Sequence, residues 1–395
     1  MSSPTDVPAR ALATHGLTLI VFFAASAAPT PLYRLYQQEW LFSATWLTAI
    51  FAMYAIALLV ALLLVARLSD HLGRRPVIGL AIALEIVSML VFIVAATPGE
   101  LLAARALQGV ATGLAAATVG AALLDTHRKH GPDVNSITPL LGLATGALGS
   151  TALAELAPAP LVTVYAVIVA LLLMCAVLTW MTPETAPRRP GVLASLRPRV
   201  SVPAGARAAL LAVTPINIAL WMLGAFYFSL MPTLVAQASH SKSLWLGGSV
   251  VALLTLTGAV AVWIALRARA LHALLVGAVL LAAGTAAIRW SAIHGSTIGL
   301  LAGSVLAGAG FGSAFLGALR TVLPLAGPHE RSQLMGVFYI ESYLSFSVPA
   351  IGLGFVVQRV GLIAAVNLYS AVIIVLTAAA IGWIVVHRRH VVAPG

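Results

Sequence analysis

The chain has 395 residues, 61% of them hydrophobic and only 8% charged, with a mean hydropathy of +1.03. That excludes a soluble domain and implies a polytopic helical membrane protein. Its 22 Lys/Arg against 11 Asp/Glu lie mainly in short loops, not in one patch, which argues against a nucleic-acid partner; the single Cys175 sits in an apolar run and leaves no disulfide or cysteine metal site.

A helix rises about 1.5 Å per residue, so about 20 apolar residues cross a bilayer core of roughly 30 Å. Twelve spans are predicted, at 11–33, 43–66, 76–96, 101–124, 137–157, 161–181, 209–236, 244–266, 271–290, 297–325, 333–357 and 361–386. The first is expected to be a retained helix: its apolar run is long and has no obvious cleavage site. Pro29-Thr30-Pro31 should break it near the outer surface, either forming a gate or ending the span. Most Lys/Arg fall between spans on the side that holds both chain ends, so both ends are expected to be cytoplasmic.

Between spans 2 and 3 lies the charged run Ala66-Arg67-Leu68-Ser69-Asp70-His71-Leu72-Gly73-Arg74-Arg75-Pro76. Gly73 permits the turn, and Pro76 suits the first turn of the next helix. The run resembles the loop signature of the major facilitator superfamily of secondary transporters, Gly-x-Leu-x-Asp-x-x-Gly-Arg-Arg/Lys. Leu68, Asp70, Gly73, Arg74 and Arg75 match it, and Ala66 replaces the first glycine. The plainer alternative is a basic anchor with no further role.

Span 4 carries Arg105, Gln108, Gly109 and Thr112 on one stripe. Arg105-x-x-Gln108-Gly109 resembles a second signature of the superfamily, whose proton-coupled members use this arginine near the coupling site. An arginine here must face protein or water, or else snorkel to the outer headgroups. Span 5 offers Gly142, Gly146, Ala147 and Gly149. Drug-exporting members have Gly-Pro where Gly146-Ala147 stands, so close helix packing explains these glycines equally well.

Two carboxylates lie near mid-membrane. Glu341 is about 12 Å into span 11, and Glu85 is about nine residues into span 3. A carboxyl group away from water can take up and release a proton near neutral pH, or remain a neutral structural acid. The resemblance favours Glu341, since span 11 lines the cavity in this superfamily and span 3 is mostly peripheral. Glu341 shares its face with Phe338, Ser345 and Val348, while Tyr339 and Tyr343 point away. Glu85 shares its face with Ala81, Ile82, Ser88 and Met89, which offer little polar company. Span 1 has no acid, unlike several drug–proton exporters.

Asp125 ends span 4. The resemblance implies that it pairs with Arg74 or Arg75 and that Asp70 faces the amino end of span 11, together latching the cytoplasmic side. As a solvated loop acid it would contribute little. In span 7, Asn217, Trp221, Gly224 and Phe228 share a stripe that either lines an apolar pocket or simply packs.

Residues 182–208 form the one long polar connection, rich in Pro and Arg. The sequences on either side of it align at a shift of 199 residues. Trp46-Leu47 falls on Trp245-Leu246, Gly109 and Gly113 on Gly308 and Gly312, and, with a small further shift, Gly131-Pro132 on Gly327-Pro328. The charged loop does not repeat: Asp70 falls on Arg269 and Gly73 on His272. Such a repeat fits a transporter with its site between two halves.

The expected fold is therefore all-α, with twelve transmembrane helices in two pseudo-symmetric six-helix bundles, 1–181 and 209–395, joined by a cytoplasmic linker at 182–208. The expected function is proton-coupled secondary transport by alternating access, exporting amphipathic or cationic small molecules such as drugs. The alternatives are a proton symporter importing a metabolite and, in another class, a non-transporting receptor or a lipid flippase. Expected partners are a small-molecule substrate, protons and the lipid bilayer of the cytoplasmic (inner) membrane, with the protein a monomer. No cofactor or metal is expected, since neither a His-Glu-x-x-His run nor a phosphate-binding glycine loop occurs.

Overall fold

Helix follows helix along almost the whole chain. The computed structural model describes residues 6–198, 200–241, 243–327 and 330–387. Lys242, Pro328 and the two chain ends, which entered the reading of topology and repeat, lie outside these. α1 (Asp6–Ala27) and α2 (Pro29–Trp40) make the first span; α3 (Ala44–Val65), α4 (Ser69–Leu72), α5 (Arg74–Val94), α6 (Pro98–Thr126), α7 (Gly131–Leu156) and α8 (Pro160–Met181) follow. After the single turn α9 (Val192–Ser195) come α10 (Arg207–Ser229), α11 (Met231–Ser239), α12 (Leu244–Ala265), α13 (Ala270–His294), α14 (Thr297–Val322), α15 (Arg331–Val360) and α16 (Leu362–Val386). Among the described residues twelve helical stretches are long and apolar enough to cross a membrane.

Three of the boundaries that differ from expectation lie at a proline. Pro29 interrupts the first span at Ala28, but Pro29 and Pro31 then sit in the first turn of α2, which runs on to Trp40. The fifth span begins six residues early because Gly131-Pro132 starts the helix. The seventh stops at Ser229, and α11, with Pro232 in its first turn, continues after Leu230.

The chain divides into two compact units: residues up to Trp40 with Met53–Pro198, and Leu41–Ala52 with the chain beyond Pro198. Small residues set the packing inside each. In the first unit α6 crosses α3 at two glycines: a Cβ on Gly109 would strike the Tyr54 carbonyl and approach Leu58 N to 2.9 Å, and one on Gly113 would come within 2.8 Å of Leu58 O. In the second unit Gly308 and Gly312 of α14 meet α12 backbone at Leu254 and Gly258 in the same way. The aligned glycine pairs therefore make the same contact in each half of the repeat. Gly142 and Gly146 of α7 lie against α1 at Ile20 and Ala24, which accounts for the span 5 glycines by packing.

Candidate functional site

The signature loop folds as α4 and then turns at Gly73, whose φ of +95° suits glycine. Arg74 opens α5 and is only 9% exposed. Its Nη1 donates to Asp70 Oδ1 at 2.6 Å and to Ser69 Oγ at 2.6 Å, and its Nε donates to Asp125 Oδ2 at 3.0 Å. One guanidinium thus ties together the loop, α5 and the end of α6, a task suited to its planar fork of donors. Arg75 turns elsewhere: it lies 5.0 Å over the Trp180 ring and donates to the Trp180 carbonyl at 2.5 Å.

Glu184, which the sequence reading left in the linker without a role, completes this cluster. Its Oε1 accepts the backbone N–H of Arg74 at 2.7 Å, of Thr185 at 3.0 Å and of Ala186 at 3.1 Å; Oε2 accepts that of Arg75 at 3.0 Å. It therefore serves two of the N–H groups that α5 leaves free at its start. A Cβ on Gly73 would come within 2.8 Å of Oε2, so the glycine makes room for the carboxylate. Partial burial pushes the Glu184 carboxyl up, but the N–H donors of Ala186, Arg74, Arg75 and Thr185 outweigh it and hold the group below the ordinary carboxylate range. Thr185 Oγ1 donates to Asp125 at 3.3 Å, and Arg189 N donates to the His71 carbonyl at 2.9 Å. The opening of the linker is thereby bound to the signature loop. The sequence signal was that Glu184 is the sole acid between 182 and 208.

A second cluster lies inside the first unit. Arg105 is 2% exposed, so it does not snorkel. Its guanidinium carbon lies 4.3 Å over the Tyr54 ring, and Nη1 donates to the Ser26 carbonyl at 2.9 Å and to Gln108 Oε1. Gln108 Nε2 donates in turn to Ala25 O and to Glu85 Oε1, both at 3.0 Å. Glu85 is fully buried, and its polar company comes from α6 and not from its own helix, which corrects the expectation of an isolated acid. Gln108 stands between carboxyl and guanidinium. Thr112, on the same stripe, is buried as well.

The third cluster belongs to the second unit. Glu341 Oε1 accepts from Asn217 Nδ2 at 3.0 Å, and Oε2 accepts from Thr214 Oγ1 at 2.9 Å. The Asn217 amide also donates to Ser342 Oγ at 3.1 Å. Every donor on this carboxyl is neutral, and among the described residues no Lys, Arg or His forms an ion pair with it. One turn along α10 from Asn217, Trp221 is ringed by Tyr343 at 5.2 Å, Phe346 at 5.3 Å, Phe315 at 5.9 Å and Phe311 at 6.3 Å. Tyr343 therefore meets the same helix as Glu341 and does not point away from it, because the indole is wide enough to reach both sides of the α15 stripe. Phe228 lies buried further along α10, while Val348 is 61% exposed. Thr214, three residues before Asn217 and on its face, was missed although its spacing placed it there.

Among the described residues no group of three or more His, Cys, Asp or Glu could hold a metal. A family model described as Major Facilitator Superfamily matches residues 16–348. The chain belongs to the major facilitator superfamily. It is accordingly a secondary transporter and a multi-pass membrane protein. No curated protein matches the sequence. Among solved structures, the nucleoside transporter NupG superposes with a TM-score of 0.71 at 13% identity, over 94% of this chain and 99% of that one. The human organic anion transporter MFSD10 (TETRAN) does so with a TM-score of 0.68 at 19% identity, over 96% and 100%. At these identities the likeness is one of superfamily fold.

Proposed function

We propose that the chain is a proton-coupled carrier that exports lipophilic or cationic small molecules by alternating access, with Glu341 as the proton-binding group. The observation that carries this reading is the set of partners around Glu341: Thr214, Asn217 and no cation. A carboxylate held only by neutral dipoles is the group whose protonation changes the local charge most. Glu85 ranks second because Arg105, acting through Gln108, offsets its charge. The rings about Trp221, one turn along α10 from the Asn217 that binds that carboxylate, give an apolar, cation-tolerant wall. NupG and MFSD10 are described by nucleoside and organic-anion cargo, but a carboxylate without an arginine is poorly suited to an anion. In this reading Asp70, Gly73, Arg74 and Asp125 form a cytoplasmic latch, with Arg75 held beside them on Trp180, and the excess of Lys/Arg supports a cytoplasmic location for both chain ends.

The test is pH quenching in proteoliposomes under an imposed proton gradient, with a panel of lipophilic cations. Substrate-evoked proton movement should be present in the wild type and lost in Glu341→Gln. Movement retained in that variant removes Glu341 as the carrier and turns attention to Glu85; no movement with any compound in the wild type removes the antiport reading.

A further inference from the structure

Early in α1 stands a histidine that neither the latch nor the proton-binding group uses. His15 is buried, and among the described residues neither its Nδ1 nor its Nε2 has a hydrogen-bond partner. A neutral imidazole carries one donor and one acceptor, so both of its polar positions go unmet, which protein interiors rarely tolerate without a reason.

Its surroundings supply one. α1 packs against α6, α7 and α8. α7 sets Val134 and Thr138 beside Gly16, with Asp133 in its first turn, and α8 sets the Cys175 thiol beside Thr18. The charged groups that act on the ring are Asp125, at the end of α6, and Glu184, in the linker. Both belong to the cluster around Arg74, and both are already engaged. Asp125 accepts from Arg74 Nε and Thr185 Oγ1, and Glu184 accepts four backbone N–H groups. While that cluster is closed, a second proton on His15 would create a buried cation with no hydrogen bond and no acid free to pair with it. Opening the cluster changes both conditions. Water reaches the ring, and the Asp125 carboxylate that Arg74 gives up can face an imidazolium.

We propose that His15 is a proton site on the latch side of the first unit, empty while Asp70, Arg74 and Asp125 are joined and filled when they part, so that acid favours the open latch. A group that binds its proton in one arrangement only draws the equilibrium toward that arrangement as pH falls, and histidine does so near physiological pH. The inference rests on the latch reading above and needs neither Glu341 nor any cargo.

Cys175 is the single cysteine of the chain, is buried and stands against α1, so its alkylation reports opening there. The experiment is N-ethylmaleimide labelling of the full chain in detergent at about pH 5.5 and about pH 7.5, on either side of the ordinary histidine value. Each rate is divided by that of N-acetylcysteine at the same pH. The wild-type ratio should rise in acid by about ten-fold, and His15→Gln should flatten it. His15→Phe should flatten it too, and with no polar atom left unmet it should unfold at no lower temperature than the wild type, which separates loss of the proton site from loss of the fold. His127→Gln, in the loop after α6, should keep the wild-type response. A wild-type ratio that does not change with pH, or a response that persists in both His15 variants, overturns the proposal. A response lost in Glu341→Gln but kept in His15→Gln overturns it as well and assigns the acid effect to Glu341. Arg74→Lys, which loosens the cluster, should raise labelling at neutral pH; if it does not while acid still acts through His15, the latch reading fails and the proton site stands.

Discussion

Gln108 donates its amide N–H to the carbonyl of Ala25, the acceptor that Pro29, four residues on, leaves without its helical donor. The break in the first span is therefore completed from α6. The same amide binds Glu85 and receives Arg105. Gln108→Leu would leave two buried acceptors unmet, the Ala25 carbonyl and Glu85 Oε1, and a cost of about 2 kcal/mol or more is expected at 1–3 kcal/mol for each. A clear drop in the unfolding midpoint in detergent is the check, and an unchanged midpoint would refute this role.

Arg74 serves Ser69, Asp70 and Asp125 at once. Lysine keeps the charge but cannot present donors in that fork, so Arg74→Lys should lose most of the network. Asp70→Asn should matter less to stability. Asp70 is 50% exposed on its side chain, and exposed pairs contribute less than about 1 kcal/mol. Thermal unfolding of the two variants side by side decides the matter, and equal losses would contradict the ranking.

Glu184 makes stability depend on pH. Its folded-state pKa lies below the ordinary value of 4.5, so the ionised carboxylate stabilises the fold above that value. The contribution fades as pH falls through the lowered folded-state value. Glu184→Gln should unfold at a lower temperature than the wild type at neutral pH, with the difference closing in acid. A difference that stays constant between neutral and acid pH would show that the four N–H bonds do not select the ionised form.

The glycine crossings predict two contrasting outcomes. Gly109→Val and Gly308→Val each force a side chain into the backbone of a neighbouring helix, an overpacking cost of about 1–3 kcal/mol or more. Gly149→Ala meets nothing within 4 Å and should be tolerated. Yield and monodispersity after detergent extraction measure both. A well-behaved Gly109→Val would mean that α6 and α3 can separate there at little cost.

How far the sequence reached depended on whether a feature is local. Spans follow from runs of apolar residues, and the repeat from Gly109 and Gly113 recurring as Gly308 and Gly312, so both were legible. Helical spacing compares a residue only with its own helix. It therefore described Glu85 by Ala81, Ile82, Ser88 and Met89 and could not see Gln108 on α6. Glu184 was opaque for a stronger reason: two of its partners are the backbone N–H groups of Arg74 and Arg75, more than a hundred residues earlier, which no side-chain pattern records. Tyr343 was misplaced because periodicity treats a side chain as a direction, whereas the indole of Trp221 has breadth.

The neutral surroundings of Glu341 have an electrical consequence. With no cation beside it, the group is neutral when protonated and carries a full negative charge when empty. In the carrier cycle proposed here only the empty form feels the membrane potential, which acts on one elementary charge with about 2.3 kcal/mol per 100 mV for complete passage. An inside-negative potential drives that charge toward outward exposure, where the next proton is collected, and leaves the protonated form indifferent. Voltage would then reset the carrier, and the proton would discharge it.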